Sequence, residues 1–499
     1  MPGSSKIRDH DEKSPSKKMI ALVLALIIMI STISALLFFD RSEDDIKSYI
    51  DNRVPELLDR YDIPGASISL VEDGELNWSD GYGNADKETG SRVTNQTLFR
   101  VQSITKSVTA WGIMNLTEAG DIDLDSAITE YIPKSKLPDS DYSWSEVTTR
   151  RLLSHSAGFP EGYYSNYPPE GDIPSLEEAL KGETGAPSAR PVFSPGTRFQ
   201  YSNPGYALLE LLIEEVTKRD YAEYMRTEIL EPIGMETATF EIKEAIGSGL
   251  VTTYERDGTP VPIFHEPVSA QGMLYASAED IGAFVAAGME GEEAGREVLS
   301  SDSVSIMYSP EIKTTGYHGY GSDSYGLGHL IETLSGGQKA VAHGGQGTGS
   351  WTWYHSVPEK GDGIVILTNS ERSLRLISDV LGEWAETNGL SSLSLTSTYS
   401  LVENVVRVAV VMSAVFVLGL ASKLAHDVYH DNKVFDPLSQ RYRVKRSLSA
   451  VLSISLLTLW WVLGYSIMDL FLPWLADWLG VVLSMTFGLL FFTALFISR

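Results

Sequence analysis

GASISLVEDGELNWSDGYG, residues 65–83, alternates apolar and polar side chains on both sides of an Asp-Gly pair at 73–74. Period two around an Asp-Gly centre predicts two antiparallel strands joined by a tight turn. A compact apolar run of strand length, GIVILTN at 363–369, lies far downstream. Between them, residues 103–119 predict a helix stopped by Gly120, and GYALLELLIEEVTK at 205–218 predicts another behind Pro204. The stretch around these helices is loop-rich and holds most of the prolines. Strands at both ends with helices between them predict an α/β (α+β) fold. One antiparallel sheet would be flanked by helices and interrupted by a mostly helical insertion.

The chain has 499 residues, of which 43% are apolar, enough for a large core. Its net charge of −27 falls on the middle of the chain. Such a surface repels phosphate, which argues against nucleic acid as a partner. It suits a high-salt habitat, where like charges are screened. There is no cysteine, so disulfides, thiolate metal sites and cysteine nucleophiles are excluded.

Residues 19–39 are uncharged and long enough to cross a bilayer, which takes about 20 residues. They follow Lys17 and Lys18 and read as an uncleaved signal anchor. Three further apolar stretches lie at 404–424, 448–470 and 478–497. The loop between the first two carries Lys423, Lys433, Arg441, Arg443, Lys445 and Arg446, which places it inside. Trp474 and Trp478 suit the opposite interface. The expected organisation is a cytoplasmic tail (1–18), an anchor (19–39), an extracytoplasmic domain (40–390), a tether (391–403) and a three-helix membrane region (404–499). Both termini would be cytoplasmic in a multi-pass protein of the cell membrane, in contact with lipid.

Three short stretches of the exported domain carry chemistry. In RVQSITKSV, 100–108, Ser103 and Lys106 share a helix face at i and i+3. Ser103 lies in the first turn, where free N–H groups favour an oxyanion. A desolvated lysine of lowered pKa can take the proton of a serine nucleophile. In FSPGTRFQYSNPGYALLELL, 193–212, Tyr201 offers a phenol whose pKa a nearby ammonium lowers, and Asn203 offers both a donor and an acceptor. Taken alone, this second stretch also fits an Asn helix cap beside a packed tyrosine. In VAHGGQGTGSWTWYHSV, 341–357, glycines on a strand let a ligand backbone come close, and the Gln346 N–H can complete an oxyanion hole with that of Ser103. No dinucleotide or phosphate fingerprint fits the glycines. His355 is too far from His343 for a metal pair, and no carboxylate has ligand spacing, so neither metal nor cofactor is expected.

SITK, YSN and HGG, in this order and separation, resemble the penicillin-recognising serine hydrolases, above all the class C β-lactamase group with its D,D-peptidase and esterase relatives. The segments IPGASISLVEDGELNWSDGYGNAD, LLSHSAGFP at 152–160, GMLYASAEDIGAF at 272–284 and YGLGH at 325–329 are similar too, so the resemblance covers about residues 45–390. It implies that Ser103 is the acylated nucleophile and that Lys106 and Tyr201 share the proton transfers. Asn203 would position the substrate amide. His343 and Gly345 would correspond to the third-motif lysine and its glycine-side position, with the N–H groups of Ser103 and Gln346 as the oxyanion hole.

The third motif departs from the lactamase pattern. It has His343 in place of a common lysine and Gly344 where a threonine hydroxyl often binds a carboxylate. Histidine is only partly charged at neutral pH. Both changes weaken recognition of a free carboxylate. The resulting expectation is a membrane-anchored extracytoplasmic serine hydrolase that cleaves an amide or ester through an acyl-serine intermediate, on a small-molecule, peptide or ester substrate outside the cell. The alternatives are a catalytically inactive sensor domain of the same fold and a true β-lactamase. A transporter is disfavoured, because the apolar spans carry no ionisable cluster.

Overall fold

The hairpin expected at 65–83 is present as β1 (Gly65–Glu72) and β2 (Glu75–Gly83). Its turn holds Asp73 at φ 53° and Gly74 at φ 83°. Two consecutive positive dihedrals match the right-handed twist of the strands they join. The structure is a computed structural model and describes residues 45–291, 294–430, 432–435, 443–464, 473–493 and 495–498. The elements named below belong to the unit Ile50–Arg499.

After the hairpin come β3 (Phe99–Arg100), α1 (Ile104–Glu118), α2 (Asn203–Thr217), β4 (Tyr275–Ala276) and α3 (Ala278–Ala287). Six strands follow: β5 (Ile312–Lys313), β6 (Ser324–Tyr325), β7 (Leu330–Thr333), β8 (Lys339–Gly347), β9 (Ser350–Val357) and β10 (Asp362–Thr368). Helices α4 (Leu374–Thr387) and α5 (Ser394–Tyr429) come next. Eight strands form one sheet in the order β2-β1-β10-β9-β8-β7-β6-β5, antiparallel throughout. The opening hairpin therefore closes on the last strand, with Ala66 opposite Thr368 and Val71 opposite Gly363. The expected union of early and late strands is what the chain forms. The segment between β2 and β5 is the helical insertion, with β3 and β4 paired inside it.

The central strand β10 is buried from Gly363 to Thr368, so both sheet faces must be covered. Tyr354 of β9 contacts Phe284 of α3 at 6.0 Å, whereas His355, one residue on and facing the other way, contacts Trp384 of α4 at 5.8 Å. Helix α3 thus covers one face and α4 the other. Gly282 lets α3 approach closely, since a Cβ there would lie 2.7 Å from Leu76 of β2. Helix α1 is buried on every side from Ile104 to Met114. It is wedged between sheet and insertion, with Trp111 5.4 Å from Phe284 and Ser107 Oγ accepting from Tyr354 O–H at 3.0 Å. A helix buried all round lies in the core of its domain.

Residues 391–403 differ from the tether expected there. The chain is helical from Ser394, and the first turns of α5 dock on the sheet domain. Ser394 donates through its N–H and its hydroxyl to Glu332, both at 2.7 Å. Glu403 pairs with Arg375 of α4, and Tyr399 and Val406 pack with Leu374 and Trp351. A Ser/Thr-rich composition looked like a linker, but these side chains have partners. Helix α5 is also long and apolar enough to cross a membrane, with a mean hydropathy of 2.3 in its most apolar window. It is the one such helix among the described residues. Of the other expected spans, 448–470 overlaps the helical residues 443–464 and 478–497 overlaps the helix Pro473–Thr493, and both spans include residues outside the described ones. The anchor expected at 19–39 lies outside the described residues.

Candidate active site

The nucleophile candidate sits at a junction of β3 and α1. Ser103 is the N-cap of α1, and Gln102 before it adopts φ 55°. A left-handed glutamine is strained by about 1–3 kcal/mol and persists only where its surroundings hold it. Here the Gln102 carbonyl accepts the Thr105 N–H at 2.9 Å, and its side chain donates to Ser350 Oγ at 3.1 Å. This turn sets Ser103 in the wall of a cavity of about 950 Å³.

Lys106, one turn on, has no exposed surface. Its Nζ is hydrogen-bonded to Ser103 Oγ at 3.1 Å and donates to the Gln271 carbonyl at 2.5 Å. Tyr201 and Tyr206 present ring faces to it at 5.0 and 5.4 Å. Burial holds this amine well below the usual lysine value; Glu266 opposes the shift and Arg100 adds to it. The Glu266 carboxylate is itself taken up by Arg100 at 2.6 Å and by Gln271 Nε2 at 2.6 Å. A lowered pKa enlarges the share of neutral amine, and a neutral amine 3.1 Å from a serine hydroxyl can accept its proton.

The loop that supplies the Gln271 carbonyl is pinned to both buried helices. Thr109 of α1 donates to the Ala270 carbonyl at 2.9 Å, and Thr105 Oγ1 accepts the Leu274 N–H at 3.2 Å. Glu210 of α2 accepts the Ala270 N–H at 2.7 Å, and burial pushes its carboxyl up to about 8.

The second motif lies at the entrance of α2. Ser202, not Asn203, is the cap: its hydroxyl accepts the Gly205 N–H at 3.0 Å. That releases Asn203 toward the cavity. Its Nδ2 donates to the Gly162 carbonyl at 2.8 Å, while Oδ1 is buried and unpartnered among the described residues. A buried acceptor left open in a cavity wall fits a substrate N–H. The Tyr201 ring is stacked on His318 at 4.5 Å and lies 4.2 Å from His155. His155 in turn accepts the Ser202 N–H at 3.1 Å. Burial lowers the pKa of both imidazoles, His318 to about 4, and Lys106 adds to the shift.

The third motif is an edge. Pairing of β7 with β8 ends at Leu330↔Ala342, so β8 runs on past its neighbour from His343 to Gly347. His343, Gly344, Gln346 and Gly347 line the cavity there. Gly345 is required by the chain itself. A Cβ on it would lie 2.2 Å from Thr352 Oγ1 and 2.4 Å from the Val101 carbonyl. This close approach sets β8 against the turn that bears Ser103, and so brings the Gln346 backbone to the same cavity. At Gly344 a Cβ would strike the Trp353 ring at 2.4 Å.

His343 does not act as the third-motif cation. Its Nδ1 bonds the Gly344 carbonyl at 2.8 Å and its Nε2 bonds Tyr325 O–H at 2.8 Å. Burial, and then Lys106, keep its pKa well below the usual histidine value. The ring is neutral, with both nitrogens occupied inside the protein. The structure thus brings Ser103, Tyr201, Asn203 and the β8 edge to one cavity, with Lys106 buried behind Ser103 and His343 as a buried support. Sequence reasoning missed His155, His318, the Gln271 carbonyl and the Arg100–Glu266 pair. LLSHSAGFP, read as similar to the family's segments, contains His155 but gave that ring no task.

Residues 50–379 match the family model described as Beta-lactamase. Among curated proteins, Protein flp of Staphylococcus aureus (strain MW2) is 29% identical over 246 residues, 48% of this chain and 48% of that protein. The chain thus spans about half the length of these relatives. Penicillin-binding protein 4 of Amycolatopsis lactamdurans is 25% identical over 66% of this chain and 87% of its own. Among solved structures, the octameric penicillin-binding protein homologue from Pyrococcus abyssi superposes with a TM-score of 0.56 at 28% identity, covering 68% of this chain and 77% of that one. D-alanine carboxypeptidase AmpC from Burkholderia cenocepacia shares the fold, with a TM-score of 0.55 at 22% identity over 68% of this chain and all of that one (100%).

Proposed function

We propose, from the premise that this chain belongs to the beta-lactamase family, that it is a membrane-anchored serine hydrolase acting on an amide or ester through an acyl-serine intermediate. The observation that carries the reading is the 3.1 Å contact between Ser103 Oγ and a fully buried Lys106. Lys106 takes the hydroxyl proton as Ser103 attacks the substrate carbonyl. The negative charge that develops on the carbonyl oxygen is met by the Ser103 and Gln346 N–H groups. The proton then passes to the leaving group, with the Tyr201 phenol as the second carrier, and water releases the acid. Asn203 Oδ1 receives an N–H of the substrate.

A neutral His343 and the hydroxyl-free Gly344 disfavour substrates selected by a free carboxylate, which places penicillins behind peptides and esters. Helix α5 supplies the membrane anchor. The basic residues in its last turns and beyond, from Lys423 onward, favour a cytoplasmic position for its end and an extracytoplasmic position for the catalytic domain.

The test is labelling of the full-length protein with a fluorophosphonate, followed by peptide mapping. The adduct is expected on Ser103, and labelling is expected to vanish in Ser103→Ala. An adduct on another serine, or equal labelling of Ser103→Ala, removes the hydrolase reading. So does the absence of serine-dependent turnover across esters, D-amino-acid peptides and β-lactams, which would leave a sensor domain.

A further inference from the structure

The cavity at Ser103 has a wall the chemistry above does not use. The lining of the cavity holds polar groups such as Arg100, Glu266 and Asn203, and also the apolar Trp351, Trp353 and Leu374 together with Leu395, Leu401 and Val402 of α5. An anchor helix normally leaves its domain through a linker, but here its first turns form part of the substrate cavity. They are fixed there by the Glu332–Ser394 and Arg375–Glu403 contacts.

The same helix continues without a charged residue from Val408 to Ser422. Val408 lies six positions beyond Val402 at the cavity, a rise of about 9 Å along a helix. Leu401, Val405, Val408 and Met412 are exposed and follow one another at helical spacing. An uninterrupted apolar stripe therefore runs from the rim of the cavity to the stretch that enters the bilayer. The β8 edge offers no cation and no hydroxyl at Gly344 for a carboxylate, so that edge of the cavity leaves selection to other parts of the lining.

We infer that the substrate is an amphiphile with an apolar acyl chain, which lies along Trp351, Leu374 and the first turns of α5 with its carbonyl at Ser103. This rests on the serine hydrolase reading and adds the substrate class to it. Ser103 Oγ bonds to the acyl carbon as the bond from that carbon to the alcohol or amine breaks. The serine proton leaves with the alcohol or amine, and water then releases the long-chain acid and restores the hydroxyl.

The test uses the full-length protein in phosphatidylcholine nanodiscs and p-nitrophenyl acetate, butyrate and decanoate. The kcat/KM for decanoate is expected to exceed that for acetate by about 100-fold, as apolar chain is buried. In Leu401→Glu/Val402→Glu the decanoate-to-acetate ratio is expected to fall by about tenfold or more. Fluorophosphonate labelling of Ser103 in the same sample shows that the variant is folded. Ratios within about threefold of unity in the parent, or an unchanged ratio in the variant, overturn the inference while acetate turnover keeps the hydrolase reading. No hydrolysis of any ester above Ser103→Ala sinks that reading and the inference together. Decanoate predissolved in the discs reacting faster than decanoate added to detergent-solubilised protein assigns the bilayer as the source. Equal rates assign a water-borne amphiphile of the same chemistry.

Discussion

Lys106→Met is expected to lower kcat/KM by about 10²- to 10⁴-fold on any ester or amide the protein turns over, the usual size of a general-base contribution. Methionine fills nearly the same volume but has no lone pair of comparable basicity for Ser103. Its fold should survive. Burial already holds Lys106 well below its usual value of 10.5, so the native state gives up this proton at a lower pH than the unfolded chain does. The unfolded state therefore binds more protons at neutral pH, and this group's effect on stability improves as pH rises toward 10.5 and worsens as pH falls. Methionine removes that penalty and also loses the bonds to Ser103 and to the Gln271 carbonyl. The two effects nearly offset, within about 1 kcal/mol.

Lys106→Arg separates charge from volume. A guanidinium stays charged in any protein environment, so the same loss of rate should come with a clear drop in Tm. In the parent, kcat/KM should rise with pH as Lys106 loses its proton and reach its plateau well below 10.5. Thermal melts and pH–rate profiles of the three proteins check this. A Lys106→Met variant within tenfold of the parent would transfer the role of base to Tyr201.

What could be read from the sequence was local. Period two at 65–83, the Gly120 stop and the Ser103–Lys106 spacing depend on neighbours within one element, and each has its expected structure. What could not be read depends on contacts across the chain. The acceptor that fixes Lys106 is the Gln271 backbone carbonyl, and a carbonyl has no residue type to betray it. His155 matters because it meets Tyr201 and the Ser202 N–H after folding. His343 looked like a ligand to substrate, but Tyr325 of β6 reaches it across the fold and occupies its ring. Residues 391–403 had the composition of a linker, and only the position of Glu332 and Arg375 makes their helix part of the domain.

Gly345→Ala is expected to lower kcat by about 10²-fold or more and to destabilise the fold by about 1–3 kcal/mol. The glycine pattern suggested room for a ligand, but at this position the room is filled by the protein. Two groups stand in the path of a Cβ: Thr352 Oγ1 at 2.2 Å and the Val101 carbonyl at 2.4 Å. They are also bonded to each other at 2.8 Å, which ties β9 to the turn before Ser103. A methyl group must push β8 away from that turn. The Gln346 N–H, the second oxyanion donor in the proposed mechanism, is then displaced in the cavity wall. Thr352→Ala in the same chain clears the side-chain obstacle but not the backbone one. The double variant should therefore regain part of its Tm and almost none of its kcat. Recovery of kcat in Gly345→Ala/Thr352→Ala would show that Thr352, and not the approach of β8 to residues 101–103, demands glycine at this position. Because the displacement acts on the transition state, KM should change far less than kcat in the single variant.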